Sequence, residues 1–151
     1  MSGAASVAIQ QAIFTKLRAD APLGAMLPTS LFDGDVGKAV YDRPPASNYS
    51  ELAVGVFPFV VIGDDTAAEF DTDDSEGQET TVTIHAWSRY PGKKEVKQVL
   101  DAIYNALHNK SLTVTGQIVI FIFFEFMETI ADPDGLTQHG VIRFRLLTQG
   151  T

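Results

Sequence analysis

Apolar residues recur along this chain with two different periods, and the period decides each element. From Ser6 to Ala19, Ile9, Ile13 and Leu17 fall at every fourth position, with Ala12 on the same side. That spacing predicts a helix with one buried face. Pro22 and Gly24 close it. Leu23 to Asn48 is a connector rich in Pro, Gly, Asp and Ser, with one short extended piece expected at Val40-Tyr41 and a stiff turn at Pro44-Pro45. Phe57 to Gly63 predicts a strand, with Pro58 near its start, where a missing N–H does least harm. The acidic stretch from Asp64 to Glu79 reads as a hairpin loop or as two splayed strand ends. In the next strand, Thr80 to Arg89, Val82, Ile84 and Ala86 point one way, and Thr81, Thr83, His85 and Trp87 point the other. Pro91-Gly92 breaks it. A second helix then runs from about Lys93 to Asn109, with Val96, Val99, Leu100, Ile103 and Leu107 as its buried stripe. Strands at about Gln117 to Ile130 and Gly140 to Thr148 end the chain, joined by the turn Asp132-Pro133-Asp134-Gly135.

The order is α-(β)-β-β-α-β-β. The expected class is α+β: an antiparallel sheet of about four strands with both helices packed on one face. The 151 residues suit a single domain, 1–151, with a long connector at about 23–56.

One strand violates this two-layer plan. Ile118, Ile120, Ile122, Phe124 and Phe126 serve one face, while Val119, Phe121, Phe123 and Met127 serve the other, interrupted only by Glu125. Both faces want cover. Either the connector from Leu23 to Asn48 folds over the back or another subunit does; the second reading is favoured, because a bare apolar patch is an aggregation hazard. On the last strand Arg143 and Arg145 alternate with Ile142, Phe144 and Leu146, and Glu125 has the parity to form a cross-strand ion pair with one of them.

Charge adds a second anomaly. The net charge is −8, from 11 basic and 19 acidic residues, which argues against a general nucleic-acid clamp. Asp64, Asp65, Glu69, Asp71, Asp73, Asp74, Glu76 and Glu79 lie in one stretch without a Lys or Arg. Meanwhile Lys93, Lys94 and Lys97, just after Arg89, crowd the start of the second helix. A helix N-terminus is already positive, so each cation there costs about 0.3–1 kcal/mol. A local rule broken without local benefit points to a functional surface. The acidic stretch and this basic helix start are complements, within one chain or between unlike surfaces of two copies.

Candidate chemistry is sparse. With no cysteine, thiolate metal sites and cysteine nucleophiles are excluded. An EF-hand register starting at Asp71 fails, placing Glu76 where Gly is needed and Val82 where the bidentate Glu belongs. His85, His108 and His139 lack metal or protease spacing, and no nucleophile elbow or phosphate loop appears. No enzyme activity, metal or cofactor is expected. No apolar run reaches the roughly 18 residues of a membrane span, and the N-terminus does not read as a signal peptide. A soluble chain, made in the cytoplasm or kept in an assembly built there, is the expectation.

An ordered set of segments resembles a known family. They are Val40-Tyr41-Asp42-Arg43-Pro44, Phe57 to Thr66, Gly77-Gln78-Glu79 leading into Val82 to Arg89, Lys93 to Tyr104 with Ala106-Leu107-His108, and Asp132 to Gly140 running into Arg143-Phe144-Arg145. Together they resemble the tail-completion or tail-terminator family of long-tailed bacteriophages and gene transfer agents, akin to the lambda tail terminator. The likeness covers about Val40 to Thr148; the connector around Leu31 to Val56 is longer than the family pattern. The resemblance implies a structural virion protein of the tail and neck, assembled in the bacterial cytoplasm. It implies a ring, typically a hexamer, at the head-proximal end of the tail tube. Such a ring stops tube polymerisation, meets the head connector or stopper, and lets double-stranded DNA through its centre. On this reading Arg89, Lys93, Lys94, Lys97, Val119, Phe121 and Phe123 form the subunit interface, and the acidic stretch faces the lumen or that interface. The alternatives are another neck component, such as a head-closure or connector protein, and a small hydrolase or ligand-binding domain.

Overall fold

The computed structural model describes residues 5–31, 37–43, 54–73 and 76–150, and every structural statement below concerns these. Asp74, the Pro44-Pro45 turn and much of the connector lie outside them.

Helix α1, Ser6–Ala19, buries Ile9, Ile13 and Leu17, the positions its periodicity marks. Pro22 and Gly24 do more than end it: Ala21–Gly24 forms a short second helix, α2. The Asp20 carboxylate caps α2 by accepting from the Leu23 N–H at 3.0 Å, and Pro22 sits in the first turn, where its missing donor is harmless. Helix α3, Lys94–Leu107, buries Val96, Val99, Leu100, Ala102, Ile103, Ala106 and Leu107. It stops short of Asn109, because His108 turns extended and Asn109 takes a positive φ of 53°.

The sheet has five strands: β1 Val40–Tyr41, β2 Phe59–Glu69, β3 Gly77–Ser88, β4 Gln117–Ala131 and β5 Gln138–Gly150. Their order is β1-β2-β3-β5-β4. The class is α+β, as expected, and the expected sheet of about four antiparallel strands with two helices is matched in outline but not in detail. The short piece at Val40-Tyr41 joins the sheet parallel to β2, so the sheet is mixed, and α2 makes a third helix. Phe57 and Pro58 precede β2 rather than open it.

The core lies between the helices and one sheet face. Val60, Ile62, Val82, Ile84, Ile142 and Phe144 meet the buried stripes of α1 and α3. Each such side chain contributes about 1.5–3 kcal/mol through burial. The layers are close at Gly140, where a Cβ would lie 2.9 Å from both Leu100 Cδ1 and Val96 Cγ2.

Strand β4 departs from simple alternation. Register shifts between Val119 and Phe121 and between Phe124 and Phe126 each insert an extra residue. Each bulge reverses which side the following residues face. Val119, Phe124 and Met127 therefore pack on the core, with Ile122 fully buried. Phe121, Phe123 and Phe126 lie opposite Leu147, Arg145 and Arg143 on the other face. The two sets expected from unbroken alternation are thus exchanged in part, and Val119 is a core residue.

Candidate assembly surfaces

The back of the sheet, away from the helices, divides in two. Over β1, the first four residues of β2 (Phe59–Ile62) and the end of β3 it is buried, whereas Asp64–Glu69 of β2 are exposed. Tyr41, Phe59 and Trp87 form a buried aromatic row, with ring centroids 6.0 Å apart for Tyr41 and Phe59 and 5.4 Å for Phe59 and Trp87. Phe57 packs on Phe59 at 5.1 Å, and the Leu31 N–H donates to the Tyr41 hydroxyl at 3.1 Å. Of the connector from Leu23 to Asn48, Leu31 reaches this half through that bond, and residues 32–36 and 44–48 lie outside the described residues. Over β4 and β5 the back is open: Ile118 and Ile120 are each 51% exposed and Phe123 38%. Phe121 and Phe123 stack at 4.8 Å, and Arg145 and Arg143 lie over Phe121 and Phe126 at 5.5 and 4.8 Å.

Glu125 does not bridge to either arginine. It falls in the second bulge, and the register sets Phe123 and Phe126 against Arg145 and Arg143. Arg145 instead lies 4.0 Å from Glu79 of β3, an exposed pair worth at most about 1 kcal/mol.

The acidic stretch is mostly strand. β2 and β3 stay paired out to Glu69 and Gln78, so neither a long loop nor splayed ends describes it. Asp64 falls at the register shift between Ile62 and Asp65, and Asp64, Asp65 and Glu69 are exposed. Asp71, Asp73 and Glu76 lie at the exposed hairpin end, and Glu79 is half-buried on β3. A hydrogen bond and like charge from Asp71 push the Glu69 carboxyl above its ordinary value.

Lys93, Lys94 and Lys97 are exposed at the start of α3, beyond the opposite end of β3. With a strand rise of about 3.4 Å per residue, about 35–40 Å of β3 separates them from the hairpin end. The hairpin end is therefore out of reach of these lysines, while Asp64 and Asp65, beside the register shift opposite Ile84 and Val82, lie nearer to them. Arg89 is used internally: its Nε donates to Thr137 Oγ1 at 3.1 Å, and its guanidinium lies 4.6 Å over the Phe57 ring.

A cluster that sequence spacing hides joins β3 to β5. His85 Nδ1 and His139 Nε2 are 2.8 Å apart, and His139 stacks on Trp87 at 4.4 Å, nearly parallel at 4°. The register makes this possible, setting His139 against Trp87 and Val141 against His85. Burial, then the neighbouring His85, lowers His139 to about 4, against the pull of Asp132. Burial likewise lowers His85, opposed by Asp64. Both rings are neutral at pH 7 and share a hydrogen bond. His108 accepts from the Phe124 N–H at 3.0 Å and the Asn109 N–H donates to Ile122 O at 2.8 Å, so both residues tie down the outer edge of β4.

A half-open apolar sheet face, an acidic hairpin and a basic helix start are the features these residues present to the outside. Comparison with known proteins places the chain in a family. The family model "Tail completion protein gp17" matches residues 11–149, and the chain belongs to that family. A curated relative, the tail completion protein gp17 of Bacillus phage SPP1, is 32% identical over 89 residues, 59% of this chain and 66% of the relative, just under two thirds of its length. A solved chain from the virion of a native gene transfer agent particle superposes with a TM-score of 0.79 at 23% identity, over 99% of this chain and all of that one, and shares the fold. Membership places the protein among virion tail components with a structural role in tail completion.

Proposed function

We propose that copies of this chain close into a ring, typically a hexamer, at the head-proximal end of a tail tube. The ring ends tube polymerisation, presents its outer surface to the head connector or stopper, and leaves a lumen for double-stranded DNA. Assembly takes place in the bacterial cytoplasm. The observation that supports this most is the open β4–β5 face, where Ile118, Ile120 and Phe123 remain exposed while Tyr41, Phe59 and Trp87 on the other half of the back are buried. Exposed apolar surface of this kind marks an interaction site.

The contact between copies is heterologous, joining unlike surfaces, as ring closure requires. Phe121 and Phe123 are buried there. Lys93, Lys94 and Lys97 approach carboxylates of an adjacent copy, since they cannot reach those of their own hairpin. Electrostatic complementarity sets register and orientation more than affinity. Carboxylates not taken up at the boundary line the lumen and repel phosphates, so DNA slides without adhering.

Binding to isolated tails and to isolated heads, followed by light scattering across protein concentration, tests the reading. Association with tails, with a mass of several copies, is expected. A strictly monomeric species even in the presence of tail tubes contradicts it, and binding to heads alone indicates a head-side neck component instead.

A further inference from the structure

Two surfaces toward opposite edges of the sheet are complementary in charge, and each exposes apolar side chains. The first is the end of the acidic hairpin. Phe70 is 50% exposed there, between Glu69 and Asp71. It is held in place: its N–H donates to Gly77 O at 2.9 Å, and the Gly77 N–H donates to Asp71 Oδ1 at 3.0 Å. A Cβ at Gly77 would come within 2.5 Å of the Phe70 carbonyl oxygen, so glycine is needed for this close approach. An exposed aromatic ring on a braced hairpin end, flanked by carboxylates in a stretch without Lys or Arg, suits a partner surface that is both apolar and cationic.

The second surface is the open β4–β5 face, with Ile118, Phe121 and Phe123 beside Arg143 and Arg145. The edge of β4 is not an alternative acceptor. Its two bulges distort it, and His108 and Asn109 already occupy part of its backbone. The face is free where the edge is not.

The two surfaces cannot meet within one chain. Phe70 follows β2, while Phe123 sits on β4, with β3 and β5 between them. Three strand spacings put them at least about 14 Å apart. They lie toward opposite edges of one sheet, the disposition that lets one copy's hairpin reach the next copy's face around a closed ring.

Resting on the ring reading above, we propose that the hairpin end of one copy seats Phe70 on the open β4–β5 face of the next copy, with Glu69 and Asp71 against Arg143 and Arg145. This face is a better acceptor for the hairpin end than the lysines of α3. It offers apolar area for the ring of Phe70, and its guanidinium groups are already oriented over Phe121 and Phe126. A planar guanidinium so placed loses little freedom on binding a carboxylate, whereas a solvated lysine must be ordered first. The crowding that raises the Glu69 pKa is relieved when an arginine approaches.

The absence of cysteine makes the test clean. Chains carrying both Phe70→Cys and Phe123→Cys are assembled on tail tubes and mildly oxidised. A ladder of disulfide-linked copies is expected, because only neighbours can bring the two Cα atoms within the roughly 7 Å a disulfide allows. Phe70→Cys paired with Lys97→Cys gives no ladder. Rings without a Phe70–Phe123 ladder, or a ladder with Lys97 in its place, overturn the proposal and leave the ring intact. Failure of the unaltered chain to form rings on tubes removes both. Charge reversal reads the same contact if the cysteine pair impairs folding. Arg143→Glu with Arg145→Glu abolishes ring formation, and adding Glu69→Arg, with Asp71 kept because it braces Gly77, restores it. Unchanged assembly in the first variant, or no restoration in the second, contradicts the proposal.

Discussion

The histidine pair makes the fold acid-sensitive within a defined window. His139 is held down to about 4 in the folded chain, against an ordinary value of 6.5. As pH falls through 6.5, the unfolded chain takes up a proton that the folded chain refuses, so stability drops between about pH 6.5 and 4 and levels off below. The whole depression corresponds to a ceiling of about 3 kcal/mol. The ring keeps part of its surface in water, and solvent screening reduces the expectation to about 1–2 kcal/mol. Asp132 and Asp64 act in the opposite direction on His139 and His85, and their pull is already contained in the directions given. Trp87 is the only tryptophan and lies 4.4 Å from His139, so its fluorescence reports the cluster directly. Urea unfolding at pH 7 and pH 4.5, followed at Trp87, measures the loss. His139→Gln removes the titrating ring, and its loss over the same interval should be smaller by about 1–2 kcal/mol. Equal losses in the two proteins refute the assignment.

Other perturbations test other links. Gly140→Ala forces a methyl group into Leu100 and Val96 and should cost about 1–3 kcal/mol in thermal or urea unfolding; no loss would mean that α3 does not press on β5 as described. Lys93→Glu with Lys97→Glu changes exposed side chains and removes two cations from the positive start of α3, so the fold should be unchanged or stabilised by up to about 1–2 kcal/mol while ring assembly weakens. Added salt should weaken assembly of the parent in the same direction. Unchanged ring formation in the double variant removes these lysines from the subunit boundary.

Much of this architecture is legible in the pattern of residues. Ile9, Ile13 and Leu17 on α1, and Val96 to Leu107 on α3, mark their buried faces because a helix is a local structure whose period depends on no partner. Arg143 and Arg145 alternate with the buried Ile142, Phe144 and Leu146 as expected, because β5 pairs on both sides with unbroken parity of its own. The pattern of β4 misleads for the opposite reason. Its bulges exist only relative to β5, and each exchanges the inner and outer sets, so Val119 turns into the core while Phe121 and Phe123 stay outside. The pairing of Val40-Tyr41 with β2 is likewise invisible before the fold brings them together. His85 and His139 are 54 positions apart, and only the β3–β5 register makes them neighbours. Arg89 resembled the lysines that follow it in sequence, yet Phe57 and Thr137 claim it, contacts set by tertiary structure alone. The charge separation was legible as composition, whereas the length of β3 between the two sets had to be seen.

On the proposed function, a ring of this chain halts a growing tail tube by capping it. Electron microscopy of tubes polymerising from their subunit, with and without the chain, measures this directly. With the chain present, tubes should stop lengthening and carry a ring at one end only. Tubes that keep growing to the same lengths with bare ends, while the chain stays in solution, would contradict the account.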